Sequence, residues 1–214
     1  MNFDDFALRI PKIKQLALPG EASHVKMAPD FRIQELRRAR DERKNPKKAG
    51  VMALFYPDIQ NETHLLLILR QPHPKDVHSN QIGFPGGKVE VTDSDIEATA
   101  LRETWEEVGI SPENIEVIRA FSSIYIPPSN FEVYPFMGLC RNAQVFVPQV
   151  SEVADLIEVS LTDFLDDTNL FSETLTTSYA QNVSVPAFKL NGYTVWGATG
   201  MMLNEMRTLL KEIL

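Results

Sequence analysis

The chain has 214 residues, 43% of them hydrophobic, which suits one domain with a sizeable core and excludes a disordered or fibrous class. Lys plus Arg number 21 against 29 Asp plus Glu, a formal net charge of −8, so a phosphorylated substrate would need a local metal or basic cluster to hold it. A single cysteine, Cys140, excludes an internal disulfide, and no apolar stretch approaches membrane-spanning length, so the expectation is a soluble, cytoplasmic protein.

Residues 1–48 precede any strand pattern. Phe6, Leu8, Ile10 and Ile13 recur at roughly helical spacing between Phe3 and Gln15, with Pro11 expected to limit a helix across them. A looser stretch around Pro19, Gly20 and Pro29 follows, and Phe31 to Lys44 reads as a helix with Ile33 and Leu36 turned inward. Eight basic and three acidic residues lie between Arg32 and Lys48. A phosphate clamp by Arg37, Arg38 or Arg40 is one reading of them; an ordinary mixed-sign solvated face is the plainer one.

From Ala49 the period changes. AGVMALFYP and HLLLILR, Ala49–Pro57 and His64–Arg70, are short aliphatic runs split by a polar loop, the pattern of strands covered on both faces. Gln71 to Ile82 is a loop with two prolines and two of the chain's four histidines. His78 within it is weighed between a substrate contact and a structural hydrogen-bonding residue.

A glycine-rich turn then leads into a helix, over Gly83 to Ile110. At about 100° per residue, Ala98, Leu101, Trp105 and Val108 fall on one side and Glu103, Glu106 and Glu107 on the other. A Glu-rich wet face with an Arg102–Glu106 pair is the bland reading. The turn argues against it, because Gly86 and Gly87 let backbone approach a ligand where a Cβ would block it. Three carboxylates beyond such a turn repel one another unless a cation sits between them. Hard oxygen donors without a nearby Cys or His pair specify Mg²⁺ or Mn²⁺ rather than zinc.

After this helix, Ile115–Ile124 and Phe131–Leu139 read as strands around the turn YIPPSNF, whose prolines mark a loop or an edge. Val150–Val159 is a further strand, Leu161–Leu165 a short helix with Thr162 near its start, and Val185–Leu190 with Tyr193–Trp196 a hairpin across Asn191-Gly192. Ala198–Leu214 closes the chain as an amphipathic helix.

Gly87, Asp93, Arg102, Glu103, Thr104, Glu106, Glu107, Gly109 and Ile110 resemble the signature of the Nudix hydrolases. Asp93 stands where that pattern has glutamate, eight residues rather than seven separate it from Arg102, and Thr104 replaces an aliphatic residue. The insertion and the aspartate look like the coenzyme A pyrophosphatase branch, as do FPGGK at Phe84–Lys88, the Tyr125–Gly138 segment ending EVYPFMG, and VWGATG at Val195–Gly200. Upstream, Leu66, Leu67 and Arg70 agree with that branch, whereas Ile68, Gln71, Asp76 and Asn80 occupy its threonine, serine, arginine and glycine places.

The resemblance implies an α/β (α+β) fold, a Nudix-like α/β/α sandwich with a mixed sheet between helical layers, over residues 49–214, with residues 1–48 as an N-terminal helical extension. It implies hydrolysis of a phosphoanhydride in a nucleoside diphosphate derivative, coenzyme A or an acyl-CoA being favoured over NADH, ADP-ribose or a similar compound. Glu103 and Glu107 would be the principal ligands of Mg²⁺ or Mn²⁺, with Glu106 beside them and the Gly86 carbonyl as a backbone ligand. Glu152 would be the distal acid that completes the cluster, with Glu132 second. Arg102 would hold the carboxylates, and one glutamate would act as base. Arg70, His78, Phe84, Gly87 and Lys88 would meet the substrate. Partners are then a small nucleotide substrate, with no membrane or nucleic acid expected and the choice between monomer and homodimer open. The contrasting reading is a non-catalytic Nudix-like module that senses a ligand or binds RNA through the Arg32–Lys48 segment.

Overall fold

The two aliphatic runs are adjacent strands, and everything else is placed by what covers their two faces. The computed structural model describes residues 1–72, 80–175 and 182–214. Three helices, α1 (Phe3–Ile13), α2 (Glu21–His24) and α3 (Asp30–Asp41), precede β1 (Lys47–Pro57), β2 (Thr63–Arg70), β3 (Ile82–Gly83) and β4 (Gly86–Lys88). Then come α4 (Ile96–Val108), β5 (Glu116–Ala120), β6 (Ile124–Ile126), β7 (Phe131–Leu139), β8 (Val153–Ser160) and α5 (Leu161–Leu165). The chain ends with β9 (Leu170–Leu175), β10 (Val183–Leu190), β11 (Tyr193–Val195) and α6 (Gly197–Ile213). No helix among the described residues is long and apolar enough to cross a membrane.

The main sheet is mixed. β1 runs parallel to β7 over Lys47–Phe55 and, on its other edge, antiparallel to β2 through Leu54–Pro57 and to β4 through Ala49, Gly50 and Val51. β8 lies outside β2, and β5 and β6 lie outside β7. A separate antiparallel sheet runs β11-β10-β9.

Period-two alternation splits the apolar runs between two cores. Met52, Leu54, Leu66 and Ile68 pack beneath Ala100 and Val108 of α4. Their neighbours Ala53, Phe55, Leu65 and Leu67 pack with Phe6 and Ile10 of α1 and with Leu203 and Met206 of α6. Each large side chain so buried contributes about 1.5–3 kcal/mol. The result is the expected mixed sheet between helical layers, with α1 part of the layer that carries α6.

Several elements differ from the sequence expectation. α1 continues through Pro11, because burial of Ile10 and Ile13 at 1% and 0% exposure outweighs the lost hydrogen bond. α3 ends at Asp41, short of Lys44, and Asn45 has positive φ. The Ile115–Ile124 run divides into β5 and β6, because Ser122 between them is turned to the side chain of Glu205. β8 starts at Val153, after a turn in which the Glu152 and Val153 N–H groups both donate to Gln149 O. Ser160, not Thr162, caps α5 by accepting from the Asp163 N–H at 3.0 Å. β9 has no counterpart in the sequence expectation, since LFSETL alternates too weakly to announce a strand by itself. The hairpin at Asn191-Gly192 has φ of 48° and 83°, the pair of positive angles a type I′ turn needs.

Candidate active site

α4 is bounded by its own caps. The Asp95 carboxylate accepts from the Ala98 N–H at 2.8 Å, and Gly109, with φ 78°, ends the last turn by donating to Trp105 O. The helix approaches β1 at Gly50, where an added Cβ would stand 2.4 Å from the Ile96 carbonyl. This backbone contact sets the rotation of the helix and overturns one expectation. Thr99, Ala100, Thr104, Glu107 and Val108 face the sheet, whereas Trp105, expected in the apolar stripe, is 57% exposed. Close seating at Gly50 puts the small Ala100 against the sheet and leaves the large indole outside, and the same rotation carries Glu107 beneath the helix.

Glu107 is 1% exposed. One carboxylate oxygen accepts from the Gly86 N–H at 2.8 Å and the other from Arg70 Nη1 at 3.2 Å. Gly86 can lie there only without a side chain, because a Cβ would be 2.5 Å from Gly50 O. Gly87 also approaches the helix closely, its Cβ position being 2.5 Å from the Glu103 carboxyl, the movable end of a flexible side chain. Burial pushes Glu107 up to about 7 against the pull of Gly86 and Arg70, and the charges of Glu103 and Glu152 add to the rise. Burial likewise raises Glu103, with Arg102 opposing and Glu106 and Glu152 reinforcing. Glu152 is exposed, yet its charge bears on both buried acids.

Arg102 organises the outer side. Its Nε and Nη2 grip the two oxygens of Asp93 at 2.9 and 3.1 Å, a bidentate pair. Nη1 reaches Glu103 at 3.0 Å and Glu106 at 2.8 Å, and Nη2 also donates to Lys88 O at 3.2 Å. Asp93 accepts further from the Glu90 N–H and from Thr99 Oγ1, both at 2.8 Å, and Arg102 holds it well below the usual carboxylate range. The shorter side chain and the extra residue of the turn therefore still bring a carboxylate onto the guanidinium, and the loop is locked to the helix.

Among the described residues, no three acidic, His or Cys side chains already converge as a preformed metal cage. Glu103 and Glu106 are drawn to Arg102, and Glu107 to Gly86 and Arg70. The donor set nonetheless fits a hard divalent cation. It consists of carboxylates, two of them, Glu103 and Glu107, desolvated with raised proton affinity, beside a backbone cradle at Gly86 that a Cβ would fill.

Arg70, Phe84, Gly87 and Lys88 all line one cleft of about 960 Å³ that begins at this turn. Gly86 lines it too, and the hydrogen bond the structure gives that residue is from its N–H. Glu106 is 54% exposed beside Arg102. Glu132 is held by Ser123 Oγ at 3.1 Å and faces Arg43. His78 and Asp76 lie outside the described residues. Arg37 and Arg40, weighed as a phosphate clamp, are each bonded to Glu21 at 2.5 Å, which ties α3 to α2. The sequence reading missed the cleft's other contributors, among them Met27, Arg32, Leu36 and Trp196. Trp196 lies in the VWGATG stretch, so a signal existed for it; the three N-terminal residues carry no local sign of a cleft wall.

A family model for the NUDIX domain matches residues 46–177. A Nudix hydrolase of Pectobacterium atrosepticum, described as uncharacterized, is 32% identical over 158 residues, covering 72% of this chain and 79% of that protein. A peroxisomal coenzyme A diphosphatase of Caenorhabditis elegans is 27% identical over 179 residues, covering 80% and 74%. The crystal structure of a Nudix hydrolase from M. smegmatis, RenU, superposes with a TM-score of 0.53 at 15% identity, covering 79% of this chain and 88% of that one, a likeness of fold.

Proposed function

The chain belongs to the Nudix hydrolases, metal-dependent enzymes acting on nucleoside diphosphate derivatives, and on that premise we propose that its substrate is coenzyme A or an acyl-CoA. The observation that carries the proposal is the cleft, which is lined at one end by the Gly86-Gly87 turn, on whose other side Glu103 and Glu107 of the acidic helix sit outside the cleft lining, and which continues between mainly apolar walls. A diphosphate placed at the turn would leave its non-nucleotide arm along those walls. The relationship to a coenzyme A diphosphatase supports the same choice.

Glu103 and Glu107, with Glu106, Glu152 and the Gly86 carbonyl, would hold Mg²⁺ or Mn²⁺, which supplies a more acidic water and neutralises diphosphate oxygens. The protein's own groups do the positioning. Arg102 fixes Glu103 and Glu106 and anchors the turn through Asp93 and Lys88 O. Arg70 and Lys88 bring positive charge to the cleft. Water oxygen attacks one phosphorus, a carboxylate of the cluster takes its proton, and the bridging P–O bond breaks. The products are 3′,5′-ADP and phosphopantetheine or its acyl form. The single buried thiol, Cys140, is consistent with a reducing, cytoplasmic setting.

A substrate panel tests this reading. With Mn²⁺ or Mg²⁺, coenzyme A should give a higher kcat/KM than NADH or ADP-ribose, with 3′,5′-ADP recovered. Turnover confined to NADH or ADP-ribose would move the assignment to another nucleoside diphosphate derivative, and no metal-dependent turnover on any of them would favour a ligand-sensing module.

A further inference from the structure

We propose that Met27 to Leu36, ahead of the family-matched region, form a specificity wall that receives an apolar chain on the substrate's non-nucleotide arm and limits its length. This deepens the coenzyme A reading and rests on it. The cleft is continuous from Gly86 and Gly87 to Met27 and Leu36, with Phe131 and Met202 among the apolar side chains that complete it. At about 960 Å³ it lies at the upper end of the range for small-molecule sites, roughly 300–1,000 Å³, so it has room for more than a compact nucleotide.

The wall is held from outside the cleft. Glu205 of α6 accepts from the Gly20 N–H at 3.0 Å and pairs with His24 at 3.1 Å. Asn204 donates to Ser23 O at 2.8 Å. Glu21 in turn carries Arg37 and Arg40 of α3. Met27 packs toward the first turn of α6, its Cε lying 3.4 Å from where a Cβ on Gly200 would stand. A wall anchored this way is preorganised and loses little entropy when a chain lies against it. Leu36, which lines the cleft and is only partly buried, is the position where volume can be changed with least effect on the core.

The test compares coenzyme A with decanoyl-CoA on the full chain, using calorimetric binding in EDTA and kcat/KM with Mn²⁺, in wild type, Leu36→Trp and Leu36→Ala. Wild type should bind decanoyl-CoA more tightly than coenzyme A. Leu36→Trp should weaken decanoyl-CoA about tenfold and leave coenzyme A within about twofold, and Leu36→Ala should raise the preference for hexadecanoyl-CoA, assayed alongside, over decanoyl-CoA by several-fold. Circular dichroism checks folding, and Leu36→Ala carries the test alone if the tryptophan variant fails to fold. Equal changes for both ligands, or none, overturn the wall. If wild type turns over neither compound while hydrolysing NADH or ADP-ribose, the coenzyme A reading falls and the wall falls with it. Turnover of both compounds without chain discrimination overturns the wall alone.

Discussion

Two glutamates are almost fully buried, one on each side of the sheet, and their surroundings are opposite. Glu205 on α6 receives the Gly20 N–H, the Ser122 N–H and hydroxyl, and His24, all within 3.1 Å. These partners overcome its desolvation and hold it below its ordinary pKa. Glu107 on α4 receives one backbone N–H and one guanidinium at 3.2 Å, and burial pushes it up. A buried acid with a full set of donors is a structural tie; one left short of positive charge has capacity for a cation.

The largest expected effect breaks the tie. Glu205→Ala leaves His24 and two N–H groups unanswered in the interior and should cost about 3–5 kcal/mol in urea unfolding. Metal-dependent turnover of the folded fraction should persist. Because Glu205 has a folded pKa below its unfolded value of 4.5, its contribution is present above that pH and is lost as pH falls through the folded pKa. The stability gap between wild type and Glu205→Gln should therefore narrow from pH 7 to pH 3.5, and a constant gap would contradict the assignment.

Glu107→Gln should behave in the reverse manner. Turnover should fall at least about 10²-fold, as for loss of a preorganised electrostatic group, while the EDTA-treated protein is no less stable than wild type at pH 8. A drop in stability comparable to that of Glu205→Ala would erase the distinction. Arg102→Lys keeps the charge but loses the fork that spans Asp93, Glu103 and Glu106, and should lower activity or metal affinity about 10–100-fold. Gly87→Ala is the mildest change, because the end of the flexible Glu103 side chain is what it meets. A few-fold loss of Mn²⁺ affinity, with near-normal unfolding, is expected there.

The same contrast separates what was legible in the sequence from what was not. Strands β1 and β2 announced themselves because apolar runs covered on both faces leave little else to form, β7 was legible beside the YIPPSNF turn, and the glycine turn with its acidic helix marked the site. Helix rotation was misjudged at Trp105, since hydropathy places an indole inside unless the close approach at Gly50 is known. Glu205 carried no signal at all. Its partners Gly20, His24 and Ser122 are scattered along the chain and meet only through tertiary packing. The N-terminal wall of the cleft was hidden for the same reason, its residues being ordinary until set opposite Phe131 and Met202.

The most direct test of the central claim is Mn²⁺ titration followed by electron paramagnetic resonance, comparing wild type with Glu103→Gln, Glu107→Gln and Glu205→Gln at matched folded concentration. The account predicts saturable binding in wild type and in Glu205→Gln, with binding lost or much weakened in both α4 variants. Equal Mn²⁺ binding in all four proteins would contradict it.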